Sequence, residues 1–116
     1  MFMKLKTGEI YFADLIKTGE HIQHGVRPVL IMGKNAENEN SKFATVIPIT
    51  SKIRKKCNIP THVFLPNGLQ KESVILPEQI TTILKSQLEA PCLYRLNYRE
   101  FKNVKSAVKY QLGITL

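Results

Sequence analysis

An arginine and a proline stand directly before a dense apolar run in GVRPVLIM, residues 25–32. Arg27 carries a permanent charge on a planar fork of donors, a shape that matches two oxygens of a phosphate. A later apolar run, KFATVIPIT, ends on the hydroxyl of Thr50. The segment SKIRKK follows it and holds four cations, Lys52, Arg54, Lys55 and Lys56. If the two runs are neighbouring antiparallel strands, the start of one lies beside the end of the other. Arg27 and Thr50 then share one rim beneath a basic loop, which is the composition of a phosphate site. Each feature also has an ordinary reading: a salt bridge to a carboxylate for Arg27, a turn hydroxyl bonded to local backbone for Thr50, and a solvated loop for the cations.

Other chemistries find no support. The sequence has no glycine-rich phosphate loop. His21 and His24 are three apart, but no third ligand is paired with them nearby, so no metal site is expected. Cys57 and Cys92 form no CxxC or nucleophile motif and read as reduced thiols of a cytosolic protein. Lys plus Arg outnumber Asp plus Glu by 17 to 9, a net charge of +8. So strong a field on so short a chain favours a polyanionic partner. No apolar run approaches the roughly 20 residues of a membrane helix, and Met1 to Lys6 lacks the apolar stretch of a signal peptide.

The elements that must hold these residues are mostly short strands. GEIYFADLI (8–16) follows a turn glycine, and RPVLIMG is too short and continuous for an amphipathic helix. KNAENENS (34–41) reads as a polar connector. Pro48 marks KFATVIPIT as an edge strand or a bulge. THVFL and SVIL flank PNGLQKE, in which Asn67-Gly68 suits a tight hairpin. QITTIL (79–84) predicts a further strand. The tail changes period: Phe101, Val104, Val108 and Leu112 recur at helical spacing, Asn97 and Glu100 form a capping box, and Gly113 closes the helix. The expected fold is mainly β, a small curled barrel-like antiparallel domain with a C-terminal helix, spanning residues 1–116.

The segments GEIYFADL, GVRPVLI, VIPITSKIRK, IPTHVFL and KESVILPEQITTI, in that order, resemble the MazF/PemK family of toxin endoribonucleases from bacterial toxin–antitoxin pairs. The resemblance implies an SH3-like β-barrel of the MazF/PemK/CcdB type, working as a homodimer in the cytoplasm. It implies metal-independent cleavage of single-stranded RNA, usually mRNA, without a cofactor, and a cognate antitoxin that blocks the site. The family's catalytic arginine and threonine map onto Arg27 and Thr50. Lys52, Arg54, Lys55, Lys56, His62 and Gln79 are the expected RNA contacts. The family often carries an acid in a Ser-Glu-Gln motif before this segment, and here that acid falls on Ile22. Glu20, His21 and His24 are the candidates for its role.

Cleavage without a metal uses the 2′-hydroxyl as nucleophile and leaves a 2′,3′-cyclic phosphate and a 5′-hydroxyl. Arg27 suits the stabilisation of charge and not the removal of a proton. Thr50 suits orientation. Tyr11, Phe12 and Phe64 could stack on bases, with at least two of the three expected in the core. Two further readings share the fold: a gyrase-inhibiting toxin of the CcdB type, and a nucleic-acid-binding module without chemistry.

Overall fold

The period-two alternation of apolar side chains along three strands sets the architecture. A computed structural model describes residues 3–16, 18–20, 22–53 and 61–114. In β1 (Glu9–Leu15), Ile10 faces one apolar cluster, while Tyr11, Ala13 and Leu15 face another. In β2 (Gly25–Ile31), Leu30 joins the first and Val29 and Ile31 the second. In β3 (Phe43–Thr50), Ile47 and Ile49 oppose Ala44 and Val46 in the same way. Both faces of this sheet are therefore buried, which explains the near-continuous apolar runs.

Between β2 and β3 lies α1 (Asn35–Asn40). Beyond them come β4 (Val63–Leu65), β5 (Ser73–Ile75), β6 (Thr81–Leu84), β7 (Leu88–Arg95) and α2 (Tyr98–Leu112). All strand pairings are antiparallel, in the order β4-β5-β3-β2-β1-β7, with β6 also on β3. On one edge β3 pairs with β2. On its other edge the first half pairs with β6 and the last two residues with β5. One strand serving two partners along one edge curls the sheet into a half-barrel, and α2 closes the open face over Val104, Phe101 and Val108.

Pro48 sits where β3 changes partner, and its carbonyl accepts from Leu76 N at 3.0 Å. N–H and C=O of one strand residue point to the same edge. The missing proline donor thus falls in the gap between β5 and β6. The run read as an edge strand or a bulge is in fact the central strand, and the proline is tolerated because no ladder bond is required there.

Four further expectations change. The polar connector forms α1, because Asn38 is buried and donates to Gly33 O at 2.9 Å, while Lys85 Nζ donates to the Glu37 and Asn38 carbonyls at 2.9 and 2.7 Å. A cation distant in sequence satisfies the helix end, so local pattern carries no sign of it. Residues 88–95 form β7, unforeseen because Glu89 to Cys92 are exposed and the run holds Pro91, both allowed at an edge. Leu65 pairs with Ser73, so residues 66–72 form a longer loop than a tight hairpin. Gln79 belongs to a 3-10 turn, Pro77–Gln79, and the strand starts at Thr81.

The helical tail matches its signals. Asn97 Oδ1 accepts from Glu100 N at 2.8 Å, Glu100 Oε1 accepts from Asn97 N at 2.9 Å, and Gly113 ends the helix at φ +69°. Leu112 departs from the expected apolar face and is exposed, one turn past Val108 where the helix has outrun the core. Among the described residues no helix is long and apolar enough to cross a membrane.

Two glycines separate two physical costs. Gly68 has φ +105°, and a Cβ there would lie 2.6 Å from the Tyr94 ring. Gly25 has φ +76° and nothing within 4 Å of such a Cβ. Gly25→Ala should cost only the left-handed backbone penalty, about 1–2 kcal/mol. Gly68→Ala adds overpacking and should cost roughly 1–3 kcal/mol more. Urea unfolding measures both, and equal losses would refute the contact with Tyr94.

Tyr11 yields a pH prediction. Burial first, then the hydrogen bond to Glu9 at 3.0 Å, raises its hydroxyl above the ordinary phenol range. The fold favours the neutral form, so the contribution is present below about pH 10 and is lost as pH rises toward the folded value. Above pH 10, stability should fall less steeply in Tyr11→Phe, by up to about 1.4 kcal/mol per pH unit. Parallel stability curves for the two proteins would contradict this.

Candidate active site

The rim forms where β2 and β3 separate. Their ladder runs Ile31–Val46, Leu30–Ile47 and Val29–Pro48. Continued by two residues it would set Arg27 across from Thr50. At that point β2 is held from outside by β1, through Ala13–Arg27, and β3 by β5, through Thr50–Val74. Each strand end is thus anchored on its far side, and the gap between them opens at the rim.

Arg27 is fixed at one end of its fork. Its Nε donates to the His24 carbonyl at 3.0 Å. Its terminal nitrogens bond to no described residue, and the guanidinium lines a cleft of about 370 Å³. Phe12, Pro28 and Ser51 share the wall, Lys71 adds a second cation, and none of the described lining residues is acidic. An unneutralised fork over an apolar floor suits an anionic group carrying a flat apolar body, such as a nucleotide.

Thr50 is placed differently. It is 1% exposed and lies outside the cleft lining. Its Oγ1 accepts from Lys52 N at 3.1 Å, the turn-hydroxyl arrangement, which leaves the hydroxyl proton to donate. Of the two residues, only Arg27 reaches the cleft.

The remaining candidates divide. Lys52 is exposed at the rim. His24 is exposed, and it meets Arg27 through its carbonyl. Glu20 is also exposed, in the loop before β2. Ile22 is partly exposed and lines an adjoining cleft of about 350 Å³ with Gln79. Arg54, Lys55 and Lys56 lie outside the described residues, as do His21 and Cys57. Among the described residues no three potential ligands gather to hold a metal. Of the three aromatics, only Tyr11 is core; Phe12 and Phe64 are 40% and 43% exposed, against the expectation of two in the core. Phe12 lines the cleft beside Arg27, and Phe64 lines a groove between β4 and α2, so neither is covered.

His62 and Gln79 act in the scaffold of the rim. His62 Nε2 lies 2.6 Å from Glu78 Oε2, with the imidazole almost wholly buried. Gln79 Oε1 accepts from Gln23 N at 2.9 Å. A run of contacts thus leads from β4 through the 3-10 turn to the loop whose next carbonyl anchors Arg27. Gln23, Glu78, Ser51 and Lys71 were not foreseen as site residues. The Gln23–Gln79 bond spans 56 positions, and no local pattern signals it.

Gln79→Ala leaves the Gln23 amide without its acceptor. A net hydrogen bond is worth about 1 kcal/mol, so exchange of the Gln23 amide should quicken about fivefold while core strands keep their protection. Unchanged Gln23 protection by amide hydrogen exchange would remove Gln79 from this tether.

Known proteins resemble this chain in sequence and in shape. Residues 6–112 match the family described as PemK-like, MazF-like toxin of type II toxin–antitoxin system. The chain is 37% identical over 113 residues to Endoribonuclease MazF of Staphylococcus saprophyticus, covering 95% of this chain and 92% of that protein. Its fold superposes on MazF from Deinococcus radiodurans with a TM-score of 0.79 at 23% identity, over 96% of this chain and 98% of that one. An endoribonuclease from a mycobacterial species, in complex with its cognate antitoxin, gives a TM-score of 0.75 at 20% identity, over 97% of each chain.

Proposed function

Because the chain belongs to the PemK-like, MazF-like toxin family of type II toxin–antitoxin systems, we propose that it is an endoribonuclease that cuts single-stranded RNA at a short sequence without a metal, works as a homodimer and is silenced by a cognate antitoxin. The observation that carries this reading is the half-used fork of Arg27, anchored through Nε and open through its terminal nitrogens over an acid-free cleft.

The 2′-hydroxyl attacks the adjacent phosphorus and the 5′-oxygen leaves. The bond to the 2′-oxygen forms as the bond to the 5′-oxygen breaks, giving a 2′,3′-cyclic phosphate and a 5′-hydroxyl. Negative charge grows on the non-bridging oxygens, where two parallel donors of a fixed guanidinium stabilise it most. Anchoring by the His24 carbonyl lets Arg27 meet that charge without reorganising. Thr50 keeps a hydroxyl proton beneath the same rim and orients the phosphate or the 2′-oxygen. Lys52, with Arg54, Lys55 and Lys56, follows the flanking phosphates, which makes binding salt-sensitive. Arginine hardly deprotonates, so the proton passes through another group. His24 and Glu20, both in the loop that leads into β2, are the side chains assigned to that step.

The test incubates a long single-stranded RNA with the protein in EDTA and maps fragment ends. Wild type should give discrete cuts with 5′-hydroxyl ends. Arg27→Ala should lose about 10²-fold or more in kcat. Thr50→Ala should also lose rate, and His24→Ala and Glu20→Ala separate the proton carriers. No cutting by folded wild type across several RNAs would sink the reading. The binding-module and gyrase-directed alternatives would then take its place.

A further inference from the structure

The outer face of α2 carries charge that nothing in the described fold uses. Arg99, Lys102 and Lys109 recur at spacings of three and seven, so they line one side of the helix over about 15 Å. All three are exposed, and among the described residues none makes an ion pair. Glu100, the acid of this helix, is engaged by Tyr94 at 2.8 Å and by the Asn97 amide. Lys105 leans instead over the Phe101 ring at 5.3 Å.

Beside this stripe runs a shallow groove of about 540 Å³ between β4 and α2. Its α2 side is lined by the small or polar residues Asn103, Ser106 and Ala107, and Phe64 and Tyr110, 43% and 69% exposed, add aromatic faces. His62 lines the same groove, and its pair with Glu78 joins it to the turn that holds the loop before Arg27. Large exposed aromatics beside unneutralised cations are the two components of a sequence-tolerant single-strand site: faces on which bases stack, and charges that track phosphates.

Resting on the ribonuclease reading above, we infer that the β4–α2 groove is a second track for single-stranded RNA, holding nucleotides that flank the cleavage site. Bases stack on Phe64 and Tyr110, and phosphates run along Arg99, Lys102 and Lys109. The charge of the stripe selects a polyanion, and the aromatic walls select one with exposed bases.

The experiment measures binding of 2′-O-methyl oligouridines of increasing length, which lack the nucleophile and stay intact. Wild type should gain affinity as the strand outgrows the cleft. Tyr110→Ala should lose about tenfold or more of that gain. Lys102→Gln with Lys109→Gln should lower the salt slope by about 1.4, the value for two phosphate contacts on a single strand. A length gain and salt slope unchanged in these variants would overturn the second track alone and leave the cleft reading standing. A changed sedimentation coefficient in the variants with unchanged RNA affinity would overturn it in favour of a second copy of the chain in the groove. No binding of wild type at any length would overturn it together with the RNA reading.

Discussion

The central position of β3 is the constraint on which the rest depends. Its side chains are buried on both faces, and its backbone serves β2 on one edge and β6 then β5 on the other. Two strands in succession along one edge of β3 leave a break in the ladder at which the sheet can bend. The curl, the covering of one face by α2 and the separation of β2 from β3 all follow from that division of partners. Pro48 belongs to the same device, since a residue without a donor falls where the ladder changes hands.

The rim inherits its stiffness from this arrangement. Arg27 sits on a strand clamped by β1, and Thr50 on one clamped by β5. The loop before Arg27 is tied through Gln23 to the 3-10 turn that follows β5. A guanidinium held by strand, loop and carbonyl has little rotamer entropy left to lose when it meets an anion. Under the ribonuclease reading proposed above, that suits Arg27 to positioning and charge stabilisation.

Charge is distributed to match. The cleft around Arg27 has no acidic lining among the described residues, and the outer face of α2 carries a stripe of cations that makes no ion pair. Cations and exposed aromatics thus meet in two places: Arg27 and Lys71 with Phe12 in the cleft, and Arg99, Lys102 and Lys109 beside the groove of Phe64 and Tyr110.

The sequence by itself determined the strands β1 to β3 and the helix α2, because each carries a strong local signal: alternation or continuity of apolar residues, a capping box and a closing glycine. It also placed Arg27 near a strand start and Thr50 at a later strand end, since that order lies in the chain itself. What only tertiary structure decided were the features made by distant partners. The helix α1 depends on Lys85, the edge strand β7 on pairing with β1, and the centrality of β3 on the strands that reach it from both sides. The burial of Thr50 and the tethering roles of His62 and Gln79 arise the same way, from contacts that span tens of residues. Local propensity reports what a segment prefers alone, and these segments take their structure from groups that only folding brings to them.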